Sequence, residues 1–431
     1  MNKLVGVGLA GLGVVALGGP YVSGTQAESQ YHQAIQALNN QAGVTVISEE
    51  YDRGYFAADS ITLIQLDRTE FDEELPKEIR FKTHYSHGVY SVNAVSHLIF
   101  DEETTAELEK LLGDKPPVEV ITTVNLFGDA SVVAKTPEVD YSDDESGDKV
   151  SISALEMIVD IPSSLEQVTA SIDWPGMNLS GESGEEIKVG QFSMTQTGSQ
   201  LTDYLWASDM TMTLDSITGL ESGQRFDLKK LEMSSVTEQS SEGRVDSGFE
   251  MSIDSVKLNE DEFKNHKLVF SLKNLAMIEF DALMETFDKL EETSQIGDPQ
   301  QQAMAQMEQF ARVGQDVTAL LNKGLEIDVS ELFVNTPKGD VKGLLHIEQP
   351  ESKEVSNAGP GALLKTTKGN LSLSIPAQLL EQGGPEMQQQ LQALLSQNLI
   401  VKDGERYKTE ATLENMMMNI NGTEMPLPPL M

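Results

Sequence analysis

From residue 44 onward the chain repeats one pattern: short runs in which apolar and polar residues alternate, separated by turns rich in Gly, Asn, Asp and Ser. Alternation sends every second side chain to one face, so each run reads as a strand with one apolar and one polar side. Strands are predicted at 44–47, 61–66, 118–126, 150–161, 167–172, 187–195, 210–217, 226–233, 249–258, 268–275, 325–334, 341–347, 370–375 and 407–413. The turns at 181–184, 219–223 and 403–404 are far shorter than the dozen or so residues that a parallel crossover takes. Successive strands must then run antiparallel, and a meander is the economical topology.

Three stretches break the alternation with helical spacing: 103–112, 277–321 with an interruption at Asp298-Pro299, and 377–396. In the second, Ala303, Met307, Phe310, Gly314, Val317 and Leu321 recur at steps of three and four and are expected on one face. Such a stripe either packs on the sheet or, with its methionines, lines an adaptable apolar groove around Met307, Phe310, Val317 and Leu321. Helical stretches account for far fewer residues than strands. A sheet with one apolar side must cover it with helices, a second sheet, a partner or lipid. Coverage by helices alone looks incomplete, which is the main physical hint of a ligand or partner surface.

The amino terminus sets the expected compartment. Residues 4–22 carry no charge, and Lys3 is the only charged residue before Glu28. A run of 19 residues matches the roughly 20 needed to span a bilayer as a helix and exceeds the about 7–15 of a cleaved signal. It reads as an uncleaved anchor, with cleavage near Val22-Ser23-Gly24 and a soluble periplasmic product as the alternative. Gly6-Val7-Gly8-Leu9-Ala10-Gly11 matches a dinucleotide fingerprint only in letters, because too few residues precede it for a strand and Gly18-Gly19-Pro20 breaks the helix that should follow. The expected organisation is an anchor or signal at 1–24, a short helix at 25–43, a β-rich body at 44–275, a helical segment at 276–323, and a C-terminal β-rich part at 324–431 with a helix at 377–396. The fold class is mainly β with some α: a long antiparallel, curved, meander-like sheet with a few packed amphipathic helices, plus an N-terminal membrane helix.

Composition removes several chemistries. The 431 residues include no cysteine, with 30 Lys+Arg against 69 Asp+Glu and a net charge of −39. Disulfides, thiolate metal sites and a Cys nucleophile are excluded, and nucleic-acid phosphates would be repelled. His84, His87 and His97 fall within fourteen residues. However, a spacing of three sends His84 and His87 to opposite faces of a strand, so surface or turn roles are expected rather than a metal site. Carboxylates are too numerous for an acid–base pair to stand out, and the run from Asp140 to Asp148 lacks the spacing of a calcium loop. No catalytic residue, cofactor or metal is expected.

Two short motifs carry a family likeness. Tyr51-Asp52-Arg53-Gly54-Tyr55-Phe56-Ala57-Ala58 resembles the Y-x-R-G-x-F-x-S pattern of the bacterial YdgA family, also called the DUF945 family, with Ala57 and Ala58 in a place where Ser is usual. His87-Gly88-Val89-Tyr90 is similar to its H-G-P element, with Val89 in place of Pro. The closing hairpin from Tyr407 with its Asn421-Gly422 turn is a looser likeness. The resemblance implies an exported bacterial envelope protein with an N-terminal membrane segment, and it brings no catalytic or ligand residues; Tyr51, Arg53, Gly54, Phe56, His87 and Gly88 are expected to be structural. The chain is thus read as a single-pass protein of the bacterial inner membrane with its body in the periplasm. It is expected to be non-enzymatic and to offer a one-sided sheet to a lipid or apolar partner. The alternative is an interaction scaffold or homo-oligomer whose sheet face is a subunit interface. Carbonate washing of membranes is expected to leave the chain in the pellet; its release into the supernatant overturns the anchor.

Overall fold

The structure, a computed structural model, describes residues 32, 35, 39, 44–54, 56–66, 78–88, 90–143, 146–164, 166–293, 299–352 and 365–427. The predicted anchor at 1–24 lies outside them, as does the predicted helix at 25–43 apart from His32, Ile35 and Asn39. Among the described residues no helix is long and apolar enough to cross a membrane. The chain divides into two units, residues 1–197 with 219–222, and residues 198–218 with 223–431.

The first unit contains β1 (Val44–Arg53), β2 (Ala57–Leu66), β3 (Glu78–His87), β4 (Ser91–Ile99), helix α1 (Glu102–Leu112), β5 (Glu119–Asn125), β6 (Ala130–Lys135), β7 (Val139–Ser142), β8 (Lys149–Ile152), β9 (Glu156–Ile161), β10 (Val168–Trp174), β11 (Met177–Ser180), β12 (Glu186–Val189) and most of β13 (Phe192–Gln200). Its ladder runs β1–β2–β3–β4–β5–β6–β9–β10, every pair antiparallel. One level row, Ala58–Tyr85–Ala94–Thr122–Val132–Val159, crosses six strands, and all six residues are buried. The row beside it brings in buried Ser60, Thr83, Ser96 and Val120. Its small hydroxyls satisfy one another across strands, Thr83 Oγ1 with Ser96 Oγ at 2.8 Å and Ser60 Oγ with the Tyr85 hydroxyl at 3.3 Å. That pairing is what lets polar groups sit in a core. It also hides β3 and β4 from a hydropathy reading, because their buried positions are Thr83, Tyr85, Ala94 and Ser96.

The predicted strand at 150–161 is two strands, β8 and β9, and that at 187–195 is β12 and β13. The interruptions line up with those between β6 and β7 and between β10 and β11, and β7, β8, β11 and β12 pair among themselves beyond the break. Thr136 N–H donates to the Leu155 carbonyl at 3.0 Å, Ser153 N–H to the Gly176 carbonyl at 3.0 Å, and the Trp174 indole to the Ser153 carbonyl at 3.1 Å. Gly176 sits at φ +118°, where a Cβ would lie 2.1 Å from the Val189 carbonyl oxygen. Only glycine fits.

The second unit holds most of β14 (Trp206–Glu221), then β15 (Gln224–Ser241), β16 (Arg244–Leu258), β17 (Asp261–Ala276), helices α2 (Met277–Thr293) and α3 (Pro299–Asn322), β18 (Leu325–Thr336), β19 (Gly339–Gln349), β20 (Lys368–Pro376), helices α4 (Ala377–Glu381) and α5 (Pro385–Ser396), β21 (Val401–Asp403), β22 (Arg406–Glu414), β23 (Met417–Ile420) and β24 (Thr423–Pro426). The meander β15–β16–β17–β18–β19–β20–β22 is antiparallel throughout, and β21 and then β23 pair along the free side of β22. The chain is mainly β, as expected, with longer strands than the alternation alone suggests.

Two helical pairs close this sheet at its ends. Leu205, Val245, Leu275, Ala276, Met277, Leu283 and Leu320 form one buried cluster around α2 and α3. Thr286 Oγ1 of α2 donates to Asp316 Oδ2 of α3 at 2.6 Å. A second cluster joins Ala377, Leu391, Ile400 and Tyr407 under α4 and α5, with the Tyr407 hydroxyl donating to Glu381 at 2.9 Å. The loop before β14 is latched to α2 by Thr202 Oγ1 to Asp281 Oδ1 at 2.7 Å and by the Tyr204 hydroxyl to Asp288 Oδ2 at 2.6 Å.

Gly176→Ala is expected to destabilise the fold by about 3 kcal/mol or more in urea unfolding. Gly248→Ala, in mid-strand with open space where the Cβ would go, is expected to change it by less than about 0.5 kcal/mol. The bond to Asp288 pushes the Tyr204 hydroxyl up to about 12. Since the folded form holds this proton more tightly than an unfolded tyrosine (about 10), the stabilisation is whole below about pH 10 and is lost as pH rises through about 12. Tyr407 is also raised, by burial and by its bond to Glu381, so spectrophotometric titration at 295 nm should show late-ionising tyrosines, and Tyr204→Phe should remove one of them.

Candidate functional site

In an antiparallel ladder, directly opposed residues share a face. Opposed across five strands of the second unit stand Phe249 of β16, Phe270 of β17, Val329 of β18, Leu345 of β19 and Leu371 of β20. Two residues toward the far end of β17 the same face carries Met251, Leu268, Leu332, Gly343 and Leu373. On the near side come Leu272, Ile327 and Ile347. Of these, Leu272 packs against the α2–α3 cluster. Beyond that contact Gly343 is buried beneath Leu332, the other residues of the face are half-buried, and Leu332 and Leu371 are exposed. The aliphatic and aromatic rows form a continuous apolar strip set between the helical pairs.

The opposite face is built for water. Lys267 Nζ lies between Glu250 Oε1 at 3.3 Å and Glu331 Oε2 at 3.4 Å, and Lys273 pairs with Glu326 at 2.8 Å. His346 Nδ1 stands 3.3 Å from Asp328 Oδ1, and Lys342 lies over the Phe333 ring, 5.5 Å from its centre. The glutamates raise the Lys267 ammonium above its ordinary range through these hydrogen bonds. The asymmetry is chemical as well as geometric: charge ladders on one side, interrupted by Val269, Phe333 and the exposed Leu344, and a face of uncharged, mostly apolar rows on the other.

Ionisation on the described surface follows the same logic. Wherever a carboxyl group is shifted, it is lowered: Glu262 and Glu285 by Lys264 and Lys289, Glu381 by Lys402 and Tyr407, Asp403 by Lys408, Asp340 by Asn335, and Asp129 by Ser163 and Asn125. Such groups stay ionised at neutral pH. A general acid needs the reverse, a carboxyl group raised toward the working pH.

The stripe predicted on the second helical stretch is divided by the structure. Val317 packs into the α2–α3 cluster and Leu321 is half-buried, whereas Met307 and Phe310 are 74% and 62% exposed. Asp316 receives Thr286 of α2, so the inward line passes through Gln309, Val313, Asp316 and Leu320, all half-buried or buried. In the first half of α3 this line carries glutamines, and Met307 and Phe310 stand beside it in solvent. The four residues therefore do not line one groove.

The family-motif residues come together in the first unit. Tyr51 falls opposite buried Ser60 and so lies on the inner face of β1, Arg53 pairs with Ala58 in the register, and the Tyr51 ring lies 6.2 Å from both the Tyr85 and His32 rings. Gly54 and Gly88 make the turns of the neighbouring hairpins β1–β2 and β3–β4 in the same way. The Gly54 N–H donates to the Ala57 carbonyl at 2.8 Å and the Gly88 N–H to the Ser91 carbonyl at 2.9 Å; a Cβ would stand 2.6 and 2.7 Å from those oxygens. His87 ends β3, and Phe56 is an exposed turn residue. Sequence reasoning missed a feature at these turns: Phe56, Tyr90 and Phe127 are 73%, 75% and 79% exposed at the tips of three hairpins. The signal that could have found it is an apolar–aromatic dipeptide where a polar turn is usual: Tyr55-Phe56, Val89-Tyr90 and Leu126-Phe127.

Phe310→Ser is expected to leave urea stability within about 0.5 kcal/mol, whereas Leu320→Ala should cost about 2–5 kcal/mol. Equal losses would contradict the division of the α3 stripe.

A family model described as "Bacterial protein of unknown function (DUF945)" matches residues 1–428 of the chain. No curated protein and no solved structure matches it.

Proposed function

The chain belongs to the DUF945 family of bacterial proteins, and from that premise we propose that it is a non-enzymatic envelope protein, held at the inner membrane by residues 1–24, whose body in the periplasm offers the apolar face of the second sheet to lipid acyl chains. The observation that carries the reading is the strip Phe249–Phe270–Val329–Leu345–Leu371, opposed across five strands and only half-buried at its centre, with Leu371 exposed. Its walls are hydrocarbon, with Met251 beside it able to adjust to an irregular chain. A net charge of −39 disfavours adsorption of the body to an anionic headgroup layer. Attachment then falls to the uncharged run at 4–22, and acyl contact to an apolar surface.

The test uses the full chain in phosphatidylcholine vesicles that contain a lipid with a photoactivatable acyl chain. Crosslinks should map to peptides carrying Phe249, Phe270, Leu345 or Leu371, and Phe270→Glu should reduce them by about tenfold, the order expected when a charge enters an apolar contact. Crosslinks confined to residues 1–24 would overturn the acyl-chain reading and leave the anchor.

A second reading, a scaffold or homo-oligomer, draws support from Met304, Met307 and Phe310, three large apolar side chains standing in solvent on α3. Light scattering of the detergent-solubilised chain decides it: a dimer that Phe310→Ser dissociates favours this reading, and a strict monomer removes it.

A further inference from the structure

We propose that the hairpin tips of the first unit seat on the lipid–water interface, with Phe56, Tyr90 and Phe127 entering it; this rests on the membrane attachment proposed above. Three observations support it, and the first is position. The hairpins β1–β2, β3–β4 and β5–β6 all turn at one end of the ladder. Their register is level there: Ala57 faces Ser86, Ser86 faces Asn93, Asn93 faces Thr123, and Thr123 faces Ser131. Successive tips are two strands apart, about 10 Å at a strand spacing of about 4.8 Å. The aromatic tips therefore form a line rather than a scatter.

The second is chemistry. Turns favour Gly, Asn, Asp and Ser because these residues bond locally and face water. Most tight turns of the second unit follow that rule, with Glu242-Gly243, Asn259-Glu260, Pro337-Lys338 and Asn421-Gly422, Asn415-Met416 being the mixed case. The first unit breaks it three times in succession. Its glycines make the turns while the neighbouring aromatics project: Gly54 beside Phe56, Gly88 beside Tyr90, and Gly128, at φ +90°, beside Phe127. Phe and Tyr presented this way suit the headgroup layer, where a ring meets both hydrocarbon and water.

The third is the path of the chain. Asn39 is fastened to the start of β1, its side-chain amide donating to the Val46 carbonyl at 2.9 Å, while the His32 ring lies against Tyr51 near the end of the same strand. His32 thus stands nearer the tips than Asn39 does. The uncharged run ends at Val22, ten residues before His32 in the sequence. The occupant that fits both features is the surface of the membrane this run enters. Asp52, Asp129 and Glu166 near the tips are acidic, so the matching surface is a zwitterionic one.

The chain has no cysteine, so single labels can be placed without competition. Tyr90→Cys and Phe127→Cys, with Glu260→Cys at a polar turn of the second unit as reference, would each carry a nitrobenzoxadiazole dye on the full chain in dioleoylphosphatidylcholine vesicles. The expected result is a blue-shifted emission at 90 and 127, lost quenching by aqueous iodide, and quenching by a nitroxide lipid, with none of these at 260. Co-flotation with vesicles while 90 and 127 remain open to iodide overturns the tip proposal alone. A blue shift without nitroxide quenching also overturns it, because a protein then covers the tips. Failure to float with vesicles removes the membrane attachment and the tip proposal together.

Discussion

Residues that face one another across an antiparallel ladder lie on the same side of the sheet, so each register assigns an environment to a whole row at once. A slip of one residue in β4 would turn Ala94 and Ser96 outward and bring Val95 and His97 into the crowded inner face. The buried row from Ala58 to Val159, the half-buried strip from Phe249 to Leu371 and the level line of hairpin tips are three consequences of that one constraint. They differ only in what lies above them.

The two units meet the need for a core in different ways. The first uses small side chains, and Thr83 and Ser96 take buried positions by bonding to each other, whereas the buried Thr122 hydroxyl has no partner. The second uses large apolar residues but places its fully buried clusters under the helical pairs, at the ends of long strands. A chain without disulfides relies on such clusters and on the ladders themselves. The centre of the second sheet is left less covered than its ends, and it is there that hydrocarbon is available to a ligand.

Long strands of the second unit were legible in the sequence because Leu, Phe, Met and Val alternate with charged residues. The same criterion overlooked β3, β4 and β6. In β3 and β4 the buried side chains are Thr, Tyr, Ala and Ser, which score as neutral or polar until the neighbouring strand supplies a hydroxyl or a close backbone. The run 150–161 read as a single strand because its break is a corner shared with other strands, marked locally by little more than Ser153 and by Gly176 on another strand. On α3 the helical period was plain, yet the inward line proved to pass through Gln309, Val313, Asp316 and Leu320. The contact with α2 sets that line, and a hydropathy maximum on an isolated helix is blind to it.

Of the candidate surfaces, the one-sidedness of the sheet could be foreseen and its exposure could not. The motif glycines are visible in the sequence, but an aromatic beside a turn carries no sign of whether it packs inward or projects, and Phe56 is expected there only as a structural motif position. Alternation and turn length by themselves determined that the strands run antiparallel with one apolar side, because side-chain period and chain reach are local properties. Which apolar rows are covered and which stand open was decided by the tertiary structure alone, because coverage depends on where distant segments dock.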